Sequence, residues 1–188
     1  MTSEPAAIDP IDPIDLIVPD AKDWTWVLDR PCPECGLDTR TVDPHSVGAM
    51  LRVNAVSWRE VLAGPHESVR ARPAPGVWSA LEYGCHVRDV FRLYDERLRL
   101  MRTQDGPHYP NWNQDATAVE ARYGEQDPAH VSAELLDAAT TLAGSLDDVH
   151  GAEWERTGFR SDGAAFTVST FARYLVHDPV HHLHDVLG

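Results

Sequence analysis

The chain has 188 residues, 43% hydrophobic and 24% charged, which is enough for one domain with a full apolar core. A formal net charge of −14 argues against a nucleic-acid backbone or an anionic membrane surface as partner, since both recruit clustered Lys and Arg. No run approaches the roughly 20 apolar residues that cross a bilayer, and the acidic, proline-rich start has neither a basic stretch nor an apolar one. A signal peptide is therefore not expected and a cytoplasmic location is.

Residues 1–22 read as a flexible acidic tail, in which Ile8 to Asp15 repeats an Ile-Asp-Pro unit whose prolines forbid helix. Residues 23–43 form a separate segment, with Trp24 and Trp26 alternating with polar residues ahead of Cys32-Pro33-Glu34-Cys35-Gly36. Residues 44–188 carry the pattern of a helical domain. A first helix is expected from Pro44 to Leu62, with Asp43 as N-cap and an apolar stripe of Val47, Met50, Leu51, Trp58 and Leu62. Prolines and arginines between residues 70 and 75 make a connector. Ser79 and Glu82 form a capping box, with Trp78 as the hydrophobic staple, and start a second helix that runs to about Met101.

Residues 104–127 read as a long loop, and loops of that length are often functional; Tyr109, Trp112 and Asp115 are its pocket candidates. A third helix is expected from Pro128 to Val149, then a turn-rich stretch from Trp154 to Ala165. A fourth helix should start near Thr167 and run almost to the end. Four helices with few strand signals indicate an all-α, antiparallel four-helix bundle.

The fourth helix ends in His177-Asp178-Pro179-Val180-His181-His182-Leu183-His184. Histidines at i and i+4 share a helical face, about 5–6 Å apart at Cβ, close enough to bind one ion. Pro179 removes a backbone donor where both would sit and either aims the imidazoles or is tolerated packing. His86, in the middle of the second helix, can supply a third nitrogen. His45, His66, His108, His130 and His150 fall at helix ends or in loops.

The run from Trp78-Ser79 to His86, followed by His177-x-x-x-His181-His182, resembles the DinB-like superfamily over roughly residues 44 to 187. That group includes mycothiol- and bacillithiol-dependent enzymes such as maleylpyruvate isomerase. The resemblance implies a four-helix bundle binding one divalent ion, zinc or nickel, through one residue of the second helix and a pair of the fourth. Carried over by position, the ligands are His86, His177 and His181, with His182 a neighbour about 100° around the helix. It further implies a metal-activated thiol as nucleophile. The arginine-rich composition, with Lys22 the single lysine, fits an actinobacterial source in which mycothiol is the available thiol. Glu82, Tyr83, Asp89, Tyr174 and Asp178 lie within reach of those ligands along their helices. Glu82 also has the competing role in the capping box.

Two readings follow: a thiol transferase or isomerase acting on a small electrophile, or a non-enzymatic metal-binding stress or interaction protein on the same fold. A small-molecule substrate belongs to the first, and a homodimer through helix faces is compatible with both. An open coordination position favours the enzyme, and a fourth protein ligand favours the alternative. Cys85 sits in helical pattern and reads as a buried small hydrophobe. Cys32 and Cys35 read as structural or free thiols, a redox pair, or half of a metal site completed by His45 or a neighbouring chain.

Overall fold

Local capping chemistry sets where the long helices begin. In the computed structural model, which describes residue 17 and residues 23–188, four long helices form the domain: α1 (Val47–Leu62), α3 (Ala80–Thr103), α5 (Pro128–Asp147) and α6 (Val168–Leu187). The tail expected over residues 1–22 lies outside the described residues apart from Ile17. At the start of α3, the Ser79 hydroxyl accepts from the Glu82 N–H at 3.3 Å. The Glu82 carboxylate accepts from the Ser79 N–H at 2.8 Å, so two orphan donors are satisfied reciprocally. Asp127 caps α5 ahead of Pro128, and Thr167 with Thr170 caps α6. The first helix begins at Val47 rather than Pro44, because Asp43 caps a 3-10 turn over Pro44–Ser46. That turn is closed by Ser46 Oγ donating to the Asp43 carbonyl at 2.7 Å.

α5 packs against both α1 and α3, and α6 closes the bundle on their other side, so α1 and α3 sit across a diagonal. Trp58, Phe91, Phe171, Leu51, Leu98 and Leu142 are all fully buried between these helices. Each contributes about 1.5–3 kcal/mol of transfer free energy. A smaller cluster of Leu62, Trp78, Leu81, Cys85, Tyr123 and Val131 lies under the start of α3. Burial pushes the Cys85 thiol up to about 12, consistent with its part as a small apolar side chain.

Two stretches expected to be irregular contain regular structure. Residues 104–127 hold strand β1 (His108–Tyr109) and helix α4 (Gln114–Glu120, capped by Asn113). Residues 157–167 form a hairpin of β2 (Thr157–Arg160) and β3 (Ala165–Thr167), with β1 joining β2 in parallel. Strands of two to four residues are too short for alternation to be read in sequence. The remaining short helix, α2 (His66–Arg70), lies in the connector between α1 and α3.

The segment before α1 wraps the open end of α6. Its turns at Trp24–Leu28 and Thr39–Thr41 are tied together by Thr39 Oγ1 donating to the Val27 carbonyl. Both turns lie against α6, and Arg173 of α6 donates to the Val42 carbonyl at 3.0 Å. Among the described residues, no helix is long and apolar enough to cross a membrane.

Candidate metal centre

Because successive helical residues advance by about 100°, the C-terminal half of α6 presents two i, i+4 pairs on neighbouring faces. One pair is His177 and His181, the other Asp178 and His182. Packing of α6 into the bundle turns these pairs toward different partners.

Asp178 and His182 face α3. His86 Nε2 lies 3.4 Å from Asp178 Oδ1, and His182 Nε2 lies 3.9 Å from the same oxygen. The His86 and His182 rings are 4.8 Å apart and nearly perpendicular. One ligand atom from each of the three residues lies within 4.8 Å of the other two. His86 is fully buried, stacked on Trp112 at 5.3 Å and flanked by Trp78 at the same distance. Both of its ring nitrogens, together with Asp178 Oδ1, are buried with no hydrogen-bond partner among the described residues. Leaving such atoms unsatisfied costs about 1–3 kcal/mol each, and a divalent cation between His86 Nε2 and Asp178 Oδ1 would satisfy one atom of each. Burial alone would raise the Asp178 carboxyl; His86 and His182 outweigh it and hold it down at about 2, so the group is a carboxylate. The His182 Nδ1 is held by Asp185 at 3.0 Å, which directs Nε2 inward. Two imidazoles and one carboxylate fit a divalent ion and leave coordination positions for small molecules.

His177 and His181 face the N-terminal segment instead. The Cys32–Gly36 turn lies against them, with Cys32 Sγ 3.6 Å from His181 Nδ1. Ligand atoms of Cys32, Cys35, His177 and His181 all fall within 4.8 Å of one another. Trp24 covers both rings at 5.5 and 5.2 Å. Burial, then His181, lowers the His177 pKa to about 4, so its imidazole is neutral at pH 7.

The three histidines expected around one ion are thus divided. His177 and His181 come together, while His86 groups with Asp178 and His182. The spacing Asp178-x-x-x-His182 is the same helical signal as His177-x-x-x-His181, displaced by one residue. Of the other expected neighbours, Tyr83 packs on His182 at 4.9 Å, whereas Glu82 is taken by the capping box and by Arg72. Asp89 pairs with Arg88 and Tyr123, away from the ligands. His45, considered as a partner for the Cys pair, packs on Trp154 at 4.6 Å. Burial pushes the Cys35 thiol up to about 11, opposite to the lowered value of a redox-active pair.

Asp178 and His182, together with His177 and His181, line a cavity of about 760 Å³, bordered by the 111–119 segment, α3, α6 and Trp24. Trp112 and Asp115 line it as expected; Tyr109 is buried beneath Arg97 instead. Arg97 and Arg160 were not singled out from sequence, because nothing local distinguishes them from the other arginines. Arg160 pairs with Asp162 and donates to the Tyr174 hydroxyl at 3.1 Å. Arg97 is only 4% exposed, spends one N–H on the Pro110 carbonyl at 2.8 Å, and has no acidic partner among the described residues. Its Nε is buried, with no hydrogen-bond partner among the described residues.

Comparison with known proteins agrees with this architecture. The sequence model of the DinB superfamily matches residues 52–186. Among solved structures, the chain is similar to YfiT from Bacillus subtilis, described as a probable metal-dependent hydrolase with an unusual four-helix bundle topology. The TM-score is 0.67 at 15% identity, over 75% of this chain and 82% of that one. No curated protein sequence matches the chain.

Proposed function

Because the chain belongs to the DinB superfamily, and because its buried, unpartnered donors open onto a cavity, we propose that it is a metal-dependent enzyme acting on a small anionic electrophile. The observation that carries this reading is the joining of an open ligand set, His86, Asp178 and His182, to a cavity holding an arginine that has no acidic partner among the described residues. A divalent ion held there would lower the pKa of a coordinated thiol or water and so supply a nucleophile at neutral pH. The finer reading is a transferase or isomerase that uses a low-molecular-weight thiol of the mycothiol type.

The chain's own groups support that assignment by position. Arg97 offers a buried cation to a carboxylate on the substrate, which a net charge of −14 would otherwise repel. The Tyr174 hydroxyl accepts from Arg160 and so has its proton free to donate to a bound carbonyl oxygen. Trp78 and Trp112 keep water from the back of His86. The amides of Asn111, Asn113 and Gln114 beside Trp24 and Trp112 offer the mixed polar and aromatic wall that suits a saccharide-bearing thiol. The likeness to YfiT favours a second reading on the same ligand set, hydrolysis with water in place of the thiol.

The test is a screen of metal-loaded protein against carboxylate-bearing electrophiles, with and without mycothiol. Thiol-dependent turnover, abolished in His86→Ala along with the bound ion, supports the transferase or isomerase. Turnover that needs no thiol selects hydrolysis. Full activity in His86→Ala rejects the site.

A further inference from the structure

We propose that Cys32, Cys35, His177 and His181 hold a structural zinc ion that fastens the N-terminal segment to α6. This site is separate from the open set of His86, Asp178 and His182, and the proposal does not rest on the activity assigned to that set.

Four features support the assignment. The first is the donor set: two thiols and two imidazoles converge from segments 142 or more residues apart in sequence, with all four ligand atoms within 4.8 Å. In a tetrahedral site with Zn–S near 2.3 Å and Zn–N near 2.0 Å, neighbouring ligand atoms sit about 3.3–3.8 Å apart. A small closing movement reaches that spacing, and the Cys32 Sγ to His181 Nδ1 distance of 3.6 Å already has it. The second is an orphan. His177 is 4% exposed and its Nε2 is buried with no partner among the described residues. A neutral imidazole nitrogen in that position needs a donor or a cation.

The third feature is the outer contact of His181. With Nδ1 toward the thiols, its Nε2 faces Glu34 at 3.3 Å and Asp185 at 3.7 Å. A carboxylate on the non-ligating nitrogen is the usual device for orienting a metal-bound histidine. Glu34 belongs to the same turn as the two cysteines, so one turn supplies both thiols and this support. The fourth is the turn itself. Gly36 lies at φ +75°, its N–H donates to the Cys32 carbonyl at 3.0 Å, and the Cys32 N–H donates to the Leu37 carbonyl at 2.9 Å. This closed loop sets both side chains on one side, and the left-handed backbone at its end requires glycine. Neither cysteine is joined in a disulfide.

The chemistry of the set selects the ion and its role. Two thiolates neutralise the charge of a divalent cation, and a mixed sulfur and imidazole tetrahedron is the preferred environment of zinc. With four protein ligands, the ion has no open position. It therefore braces the fold: Trp24, which stands over both histidines, also borders the cavity beside the open set.

The experiment loads the full-length chain with cobalt(II), which reports tetrahedral thiolate ligation in its absorption spectrum. The expected result is a thiolate-to-cobalt charge-transfer band with intense visible bands. These are lost in Cys32→Ser/Cys35→Ser and kept in His86→Ala/His182→Ala. Zinc content should fall from about two equivalents to about one in either variant. The wild-type protein gives a second readout that needs no folded variant. Its bound zinc should protect Cys32 and Cys35 from alkylation, with chelation exposing them. No charge-transfer band in the cobalt-loaded wild type, or equal alkylation with and without chelator, overturns the proposal. So does a Cys32–Cys35 disulfide in protein purified with its metal. Loss of activity in His86→Ala with the cobalt band intact would touch the open set alone.

Discussion

Asp185 connects the two ligand sets through a single carboxylate. It holds His182 Nδ1 at 3.0 Å and lies 3.7 Å from His181 Nε2, whereas Glu34 reaches only His181. Outer carboxylates of this kind typically govern metal affinity by about 10–100-fold. Asp185→Asn should therefore weaken both ions by about that factor, and Glu34→Gln only the one bound to the cysteines. Competition against a chromophoric chelator separates the two cases. Arg97 gives a sharper functional test, since a charge-assisted hydrogen bond to a substrate carboxylate contributes about 1.5–3 kcal/mol. Arg97→Met should raise KM for an anionic substrate by about 10- to 100-fold and leave its neutral ester little changed. Equal effects on both would remove the arginine from substrate recognition. The His-x-x-x-His spacing of α6 was readable in the sequence. The equivalent Asp178/His182 spacing was there too, and nothing local ranked one face over the other.

The start of α3 is where helix capping and an ion pair coincide. Glu82 is 3% exposed, accepts from the Ser79 N–H and pairs with Arg72. Burial alone would raise its pKa, but Arg72 and the Ser79 N–H outweigh it and the net shift is downward. A carboxyl whose folded value is depressed adds stability that is fully present above its unfolded pKa, near 4.3. That stability is lost as pH falls through the lower folded value. Urea midpoints measured from pH 6 downward should thus drop below about pH 4.3 in the wild type. Glu82→Gln should lower the plateau and flatten this acid limb, and an unchanged limb would assign it to other carboxylates. Ser79→Ala should cost about 0.5–2 kcal/mol through the lost cap. The capping signals were legible in sequence because they act within four residues. The three-stranded sheet was not, because β1 pairs with a strand some 50 residues away over only two positions.

Metal removal acts on the molecule as a whole. An ion that binds only the folded state stabilises it by RT ln(1 + [L]/Kd), about 4 kcal/mol at a free concentration 1,000 times Kd. Chelation should lower the melting temperature of the full chain and expose residues 23–43 to limited proteolysis, since their anchorage runs through Cys32 and Cys35. Zinc, titrated back, should restore both. A chelated protein whose melting point and cleavage pattern match those of the loaded form would show that packing of Trp24, Val27 and Thr39 alone holds the segment. The segment also borders the cavity, so its release should weaken substrate binding without removing a ligand from His86, Asp178 and His182.

What the sequence determined by itself was whatever acts over a few residues or one helical face. That includes the caps of α3, α5 and α6, the apolar stripes that make a bundle, and the cluster of histidines spaced as potential ligands at the end of α6. The DinB-like resemblance extended this to the family. The tertiary structure decided which of these side chains come together. A helix turns about 100° per residue, so a rotation of α6 by one position exchanges His177/His181 for Asp178/His182 on the face toward α3. That rotation is set by burial of Phe171, Ala172, Leu175 and Val176 between the helices, a property of the packed core. The same packing leaves His177 and His181 toward the N-terminal segment, where the Cys32–Gly36 turn meets them from 149 residues earlier in the chain, Cys32 beside His181.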